Sequence, residues 1–392
     1  MKILFIHNRY KQYGGEDVAV ELETSILKER GHEVKTIFFD NAPIEGLFPK
    51  ITAGFQSIYN SSSASKVSKA IREFKPEIIH IHNLFFIASP SVIYAAHKHR
   101  IPVVLTLHNY RLICANALLL RNGQVCELCT QKTFPFAGIR YKCYRNSATE
   151  SALVTSITGI HKILNTWKNK IHTYVALTEF SRLKILHSSL HIPENKIITK
   201  PNFIPDPGEG RIQREEFFLF VGRIVKEKGV HILAKAFAQM PENKVLVIGD
   251  GPERITLQEE FKEYPNIHFI GYMEKTKIVE YIKRCKALIC PSIWYEGAPL
   301  TILEAFATGT PVIASRLGSM IESITDGFNG LHFTAGDAED LSRTVMLFLK
   351  ETETNPMFYK NARQTYLQKY HEKIHYDAIL KIYENAINRV NV

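Results

Sequence analysis

Glu296 and Glu304 stand eight positions apart in the stretch Tyr295-Glu-Gly-Ala-Pro-Leu-Thr-Ile-Leu-Glu-Ala-Phe-Ala-Thr-Gly309. Glu304 falls on a short helix among Ile302, Leu303, Ala305, Phe306 and Ala307. A carboxylate there is costly unless a polar group meets it. Glu296 falls in the loop before that helix, after an apolar strand predicted over residues 287–291. Open α/β sheets bind ligands at the carboxyl ends of their strands. Two acids aimed at such a crevice suit a polyhydroxylated ligand.

Other residues could hold an anion. In Val221-Gly-Arg-Ile-Val-Lys-Glu-Lys-Gly229, Gly222 allows a tight turn, and Arg223 and Lys228 project from the loop between a strand and a helix. Arg offers phosphate a fork and Lys a point charge. A surface salt bridge is the plainer reading of that pair alone. The spacing is not that of a Walker loop, and no GxGxxG follows the first strand. Gly14-Gly15 precedes a helix with Glu16 and Asp17 in its first turn. Backbone N–H groups at such a turn can approach a phosphate, although a flexible loop would read the same. His108 ends a strand, which points it towards the crevice; a structural histidine is the alternative. Gly249-Asp-Gly-Pro252 ends another strand in a tight turn, with Asp250 read as a helix cap.

Cys114, Cys126, Cys129 and Cys143 form a third constellation, and Cys126-Glu-Leu-Cys129 has the turn that lets two thiolates share one metal. The surrounding segment has poor periodicity and needs a staple. Structural zinc is the leading expectation, with free thiols and disulfides left open. Cys285 and Cys290 read as core residues.

The elements that must position these groups alternate. Strands are predicted at 2–7, 34–39, 78–82, 103–108, 174–178 and 197–200, with helices at 18–30, 66–74, 90–99 and from 179. Near-continuous apolar runs such as Val103-Val-Leu-Thr-Leu mark parallel strands buried on both faces. Pro201-Asn-Phe-Ile-Pro-Asp-Pro-Gly-Glu-Gly210 reads as a linker. Strands then resume at 217–221, 245–249, 267–271, 287–291 and 311–315. The fold class is α/β, two doubly wound Rossmann-like domains facing each other across a cleft. Residues 1–204 form the first domain, with a Cys-containing insertion at 114–145, and residues 205–370 the second. A C-terminal helix, 371–392, crosses back to the first.

A chain of 392 residues suits two domains. It contains no apolar run near 18 residues. The first residues read as a strand and not a signal peptide, so the cytoplasm is the expected compartment. Residues 1–204 hold 26 Lys+Arg and 14 Asp+Glu, a net of +12, whereas the rest hold 23 and 25, a net of −2. A basic half suits an anionic partner, or is simply a set of solvated helix faces. Ile160, Ile163, Leu164, Trp167 and Ile171 recur at helical spacing beside Lys162, Lys168 and Lys170. This predicts one amphipathic helix that either rests on an anionic membrane or packs inside the domain.

Gly222-Arg223…Lys228-Gly229, Gly249-Asp-Gly-Pro252, Glu296-(seven residues)-Glu304 and Pro311-Val-Ile-Ala-Ser315 resemble, in order and spacing, the retaining GT-B glycosyltransferases of the family 4, or group 1, type. The resemblance covers about residues 1–349. It departs at Ala298, where Phe is frequent, and at Gly318-Ser319, where a Gly pair is common. Both departures bear on donor identity.

The resemblance implies that Arg223 and Lys228 hold the donor diphosphate and Glu304 the ribose hydroxyls. Glu296 would contact the transferred sugar, backbone N–H groups around Pro299, Leu300 and Thr301 (Pro299 itself supplying none) would face the diphosphate, and Gly297 and Ala298 would also belong to the donor site. His108 would sit near the reacting carbon, and Gly14, Gly15, Gly222 and Gly249 would line the phosphates. Arg254, Ile270 and Gly271 would border the base. The implied catalytic set is His108, Arg223, Lys228 and Glu296.

The implied partners are a nucleotide-diphosphate sugar and a saccharide or lipid-linked saccharide acceptor at the inner membrane face, in surface polysaccharide or lipopolysaccharide synthesis. No nucleic acid is expected. No Asp-x-Asp pair occurs, so no metal cofactor is expected for transfer. Two alternatives stay open: a relative with epimerase or phosphorylase chemistry, and a non-catalytic membrane or nucleic-acid binding protein.

Overall fold

The strands arise where apolar residues run almost without interruption, so that both sheet faces can be covered by helices. Ile3, Leu4, Phe5 and Ile6 of β1 are wholly buried. The structure is a computed structural model that describes residues 1–9, 13–41, 56–211, 213–354 and 357–389. The chain divides into two compact units. One comprises residues 1–119, 126–202 and the C-terminal segment from His375, and the other comprises 120–125 and 203–374.

In the first unit the elements are β1 (Lys2–Arg9), α1 (Gly15–Glu29), β2 (Glu33–Asp40), α2 (Ser61–Phe74), β3 (Ile78–Asn83), α3 (Ser91–Lys98) and β4 (Val103–Leu107). The segment after β4 holds a short hairpin, β5 (Leu120–Arg121) and β6 (Gln124–Val125), which groups with the second unit, then α4 (Phe136–Arg140), α5 (Ala148–Ile163) and α6 (Thr166–Asn169) of the first. β7 (Thr173–Ala176), α7 (Glu179–Leu186) and β8 (Ile197–Thr199) follow. The sheet is parallel, in the order β2-β1-β3-β4-β7-β8. Its order reverses between β1 and β3.

Two readings are corrected here. α2 begins at Ser61, five residues before the predicted start, because Asn60 caps it by accepting from the Ser63 N–H at 3.1 Å. The amphipathic helix expected over 160–171 does not exist as one element. α5 stops at Ile163 and Asn165 takes a left-handed conformation. Trp167 and Ile171 are then buried within the unit, with Trp167 Nε1 donating to the Thr158 carbonyl at 3.2 Å.

The second unit runs β9 (Phe218–Val221), α8 (Val230–Ala238), β10 (Val245–Ile248), α9 (Arg254–Glu260), β11 (Ile267–Gly271), α10 (Lys275–Ile282) and β12 (Leu288–Cys290). It continues with α11 (Leu300–Ala307), β13 (Val312–Ser315), α12 (Ser319–Ser323), β14 (Gly330–Phe333), α13 (Ala338–Thr354) and α14 (Met357–Lys369). This parallel sheet has the order β11-β10-β9-β12-β13-β14 and reverses between β9 and β12. Phe218, Phe237, Phe348 and Phe358 fill its core through edge-on contacts.

The predicted linker is tied to the second unit. Tyr366 donates to the Ile204 carbonyl at 3.1 Å, and Arg363 pairs with Asp206 at 2.6 Å. The last helix, α15 (Glu372–Asn388), buries Ile379, Ile382, Tyr383 and Ala386. From His375 onward it belongs to the first unit.

Candidate functional site

Doubly wound sheets bind ligands where the strand order reverses. In the second unit this point lies between the carboxyl ends of β9 and β12, and the sequence places its charged loops there. Two glycines press those loops together. Gly229 has φ +70°, and a Cβ on it would lie 1.9 Å from the Pro291 carbonyl oxygen. Gly249 has φ +142°, and its Cβ would lie 1.8 Å from the Gly222 carbonyl oxygen. The Ile293 N–H also donates to the Glu227 carbonyl at 2.9 Å.

Glu296 is 4% exposed, and one of its oxygens collects three donors. Oε1 accepts from Lys228 Nζ at 2.8 Å, Ser292 Oγ at 2.5 Å and Trp294 Nε1 at 3.0 Å. Among the described residues none bonds Oε2. Ser319 Oγ fixes the Glu296 carbonyl at 2.8 Å. Burial pulls the Lys228 ammonium down, but attraction to Glu296 outweighs it and leaves Lys228 above the ordinary lysine value. Arg223 is exposed, and no described residue pairs with its guanidinium. The geometry thus fixes one cation on a carboxylate and leaves the second in solvent beside it in sequence.

Glu304 lies on α11, 7% exposed, with Lys275 Nζ 3.5 Å away. Burial raises its carboxyl above the ordinary range, and Lys275 offsets only part of that. α11 starts after Pro299 with no side-chain cap. The N–H groups of Leu300 and Thr301 therefore have no acceptor within the helix, and its positive dipole end faces outward. Gly297 and Ala298 are half-buried in the loop before it.

Arg254, Ile270 and Gly271 gather at the ends of β10 and β11. Ile270 is 42% exposed, and the Gly271 carbonyl accepts from the Gly249 N–H at 2.8 Å. Arg254 Nε bonds Asp250 at 3.0 Å. Asp250 also accepts from the Gly251 N–H at 2.8 Å. It shapes the turn and does not cap α9, which begins at Arg254.

The first unit holds its own cluster at the ends of β1, β3 and β4. His108 Nε2 lies 2.8 Å from His82 Nδ1. Burial, and then His82, hold His108 well below the ordinary imidazole range, and burial pushes His82 down to about 3. Both are neutral near pH 7. A cavity of about 30 Å³ lined by His82, His108, Asn109 and Arg111 has room for a water molecule. Gly14 has extended backbone and gives its N–H to Asp17 Oδ2 at 3.0 Å, so that donor is already used. Gly15 is exposed as the first residue of α1.

Sequence reasoning missed the other partner of Asp17, His7, whose Nε2 lies 2.9 Å from Oδ1. It also missed a buried network. Glu23 Oε2 meets Lys200 Nζ at 2.9 Å and His375 Nε2 at 3.0 Å, while Oε1 meets His80 Nδ1 at 2.9 Å. Tyr383 OH lies 2.7 Å from the same His80 nitrogen. Among the described residues no disulfide joins the four clustered cysteines, of which Cys114 and Cys129 are buried and Cys126 and Cys143 half-buried. Cys285 and Cys290 are buried in the second unit.

Among the described residues, no helix is long and apolar enough to cross a membrane. Residues 206–365 match the family of glycosyl transferases group 1, and residues 13–145 match glycosyltransferase family 4; together these cover more than half of the chain. The chain is 30% identical over 181 residues to N,N'-diacetylbacillosaminyl-diphospho-undecaprenol alpha-1,3-N-acetylgalactosaminyltransferase of Campylobacter jejuni, covering 46% of this chain and 47% of that protein. A 42.6 kDa protein of the Klebsiella pneumoniae cps region, itself uncharacterized, is 22% identical, with coverage of 82% and 87%. The chain spans about half or less of several of its curated relatives, with 47%, 29% and 53% of their lengths matched. Anabaena Alr3699/HepE, solved with UDP, superposes with a TM-score of 0.69 at 16% identity, covering 98% of this chain and 100% of that one. The lipopolysaccharide outer core galactosyltransferase WaaB superposes with a TM-score of 0.67 at 18% identity, covering 99% of each.

Proposed function

Since the chain belongs to the group 1 glycosyltransferases, we propose that it moves a sugar from a nucleoside diphosphate donor to a saccharide acceptor. The arrangement at the β9/β12 reversal carries this reading. Arg223, Lys228 and the N-terminus of α11 offer positive charge beside two buried carboxylates. As the bond between sugar and diphosphate breaks, negative charge grows on the leaving phosphate. Preorganised cations and a helix dipole stabilise such charge in a water-poor site, each by roughly 3 kcal/mol. Glu304 accepts hydrogen bonds from the ribose, and the open Oε2 of Glu296 accepts from a hydroxyl of the transferred sugar. Arg254, Ile270 and Gly271 border the base.

The transfer proceeds with retention and without a metal cofactor. Neither glutamate is a nucleophile in this scheme. The acceptor attacks from the side the leaving group departs, and the leaving phosphate takes its proton. His108, neutral and half-buried, contacts the sugar. Three observations support a lipid-linked acceptor in surface polysaccharide or lipopolysaccharide synthesis, with the enzyme on the inner face of a membrane. They are the +12 charge of residues 1–204, the diphospho-undecaprenol in the name of the Campylobacter relative, and the lipopolysaccharide outer core in the name of WaaB.

The test is incubation of the purified chain with UDP, GDP and ADP sugars and with membrane lipid extracts, following nucleoside diphosphate release. NMR of the product anomer tests retention; an inverted anomer rejects it. Absence of release with every donor, together with no nucleotide binding, rejects the whole reading.

A further inference from the structure

We propose that Cys114, Cys126, Cys129 and Cys143 bind one zinc ion that staples the segment following β4. The backbone ties the second and fourth of these positions to residues near the first and third. Leu119, five residues after Cys114, accepts the Cys126 N–H on its carbonyl at 2.8 Å. Gly138 accepts the Cys143 N–H on its carbonyl at 2.9 Å, and the Cys129 sulfur lies 3.9 Å from the carbonyl of Pro135, three residues before Gly138. These two halves touch, because a Cβ on Gly138 would lie 2.8 Å from the Ala115 Cβ, next to Cys114.

The segment needs such a link. Between Cys114 and Cys143 its regular structure is a hairpin of two-residue strands and the five-residue α4. Ala117, Leu119, Asn122, Lys142, Arg145 and Asn146 all take left-handed backbone at non-glycine positions. That conformation is costly for residues with a Cβ. As free thiols, Cys114 donates to Asn116 Oδ1 at 2.9 Å and Cys129 to the Pro135 carbonyl at 3.9 Å. Binding turns these side chains onto the ion and releases their protons. Four thiolates with a Cys-x-x-Cys pair suit closed, tetrahedral structural zinc.

No three of the four cysteine sulfurs lie within 4.8 Å of one another, so they must turn inward onto the ion; the one group of described residues that meets this spacing is Glu23, His80 and His82. It is disfavoured for a cation because the Lys200 ammonium already stands 2.9 Å from Glu23.

The full chain, purified under reducing conditions without chelating resin or added metal, should carry one zinc by mass spectrometric metal analysis. Its four clustered thiols should resist alkylation until a mercurial releases the ion. Cys126→Ser and Cys129→Ser should lose the zinc, and Cys285→Ser should keep it. If the serine variants fail to fold, cobalt substitution of the wild-type chain answers instead, with a thiolate charge-transfer band expected. Overturning results are no bound zinc with four freely alkylated thiols, two disulfides by non-reducing peptide mapping, or iron in place of zinc. Each is distinct from loss of sugar transfer, which the donor experiments report.

Discussion

Lys228 Nζ sits 2.8 Å from Glu296 Oε1, an ion pair that links the loop after β9 to the loop after β12. Its carboxylate is also held by Ser292 and Trp294, so loss of the lysine leaves Glu296 with two neutral donors. Lys228→Ala should therefore fold. It should lower kcat/KM for the donor by about 10²- to 10³-fold, the usual cost of removing a donor aimed at developing charge. Steady-state kinetics with circular dichroism as a folding control checks this. Unchanged kinetics would remove Lys228 from the proposed mechanism.

Glu304→Gln keeps the shape of the side chain and removes its charge. UDP affinity by calorimetry should fall about tenfold or more, since hydrogen bonds to charged groups contribute roughly 1.5–3 kcal/mol. The wild-type carboxyl is raised above its ordinary value by burial, so it protonates earlier than an exposed one as the solution is acidified. Wild-type affinity should weaken as pH falls through that raised value. The Gln variant should lack this contribution, and equal pH slopes would remove Glu304 from ribose binding.

Lys200→Met should destabilise the first unit by about 3–5 kcal/mol, the cost of leaving a buried charge unpaired. Glu23→Gln combined with Lys200→Met should recover part of that loss. Chemical denaturation followed by Trp fluorescence reads both. A double variant no more stable than the single would show that the pair is not coupled.

Acid should weaken the same region. Burial lowers His375 from 6.5 to about 4 and His82 from 6.5 to about 3. Glu23 is also buried, which alone would raise it, but Lys200 and its histidine neighbours hold it well below 4.5. The unfolded chain binds protons that these folded groups refuse, so this contribution to stability rises with pH across that range. It should be fully present above pH 6.5 and be lost progressively towards pH 4. Melting temperatures over that window should fall on acidification; a flat profile would contradict the network.

Gly249→Ala should cost the second unit more than about 1–2 kcal/mol, because positive φ alone costs that much for a residue with a Cβ. The added carbon would also meet the Gly222 carbonyl at 1.8 Å. A drop of several degrees in melting temperature with weakened UDP binding is expected. Gly327→Ala is the control, with φ +72° and nothing within 4 Å of its Cβ. It carries the conformational cost without the collision.

The sequence made the parallel strands plain because their apolar runs leave few other states. Glu296 and Glu304 stood out because acids are rare beside such runs. Ser292 and Trp294 lay within four positions of Glu296 and could have been read as its donors. Glu23 and Lys200 could not be paired in this way, being 177 positions apart. The same holds for Lys275 beside Glu304. Periodicity misread residues 160–171 because spacing alone does not register that Asn165 turns left-handed and redirects Trp167 inward.

Glu23 and His80 precede their partners His375 and Tyr383 by a long stretch of chain, 303 positions for the His80–Tyr383 pair. During synthesis the first half therefore emerges with a buried carboxylate whose surroundings are incomplete. It can close fully only after the helix that carries His375 and Tyr383 has been made. A nascent chain halted before residue 375 would expose that polar interior to water and to chaperones.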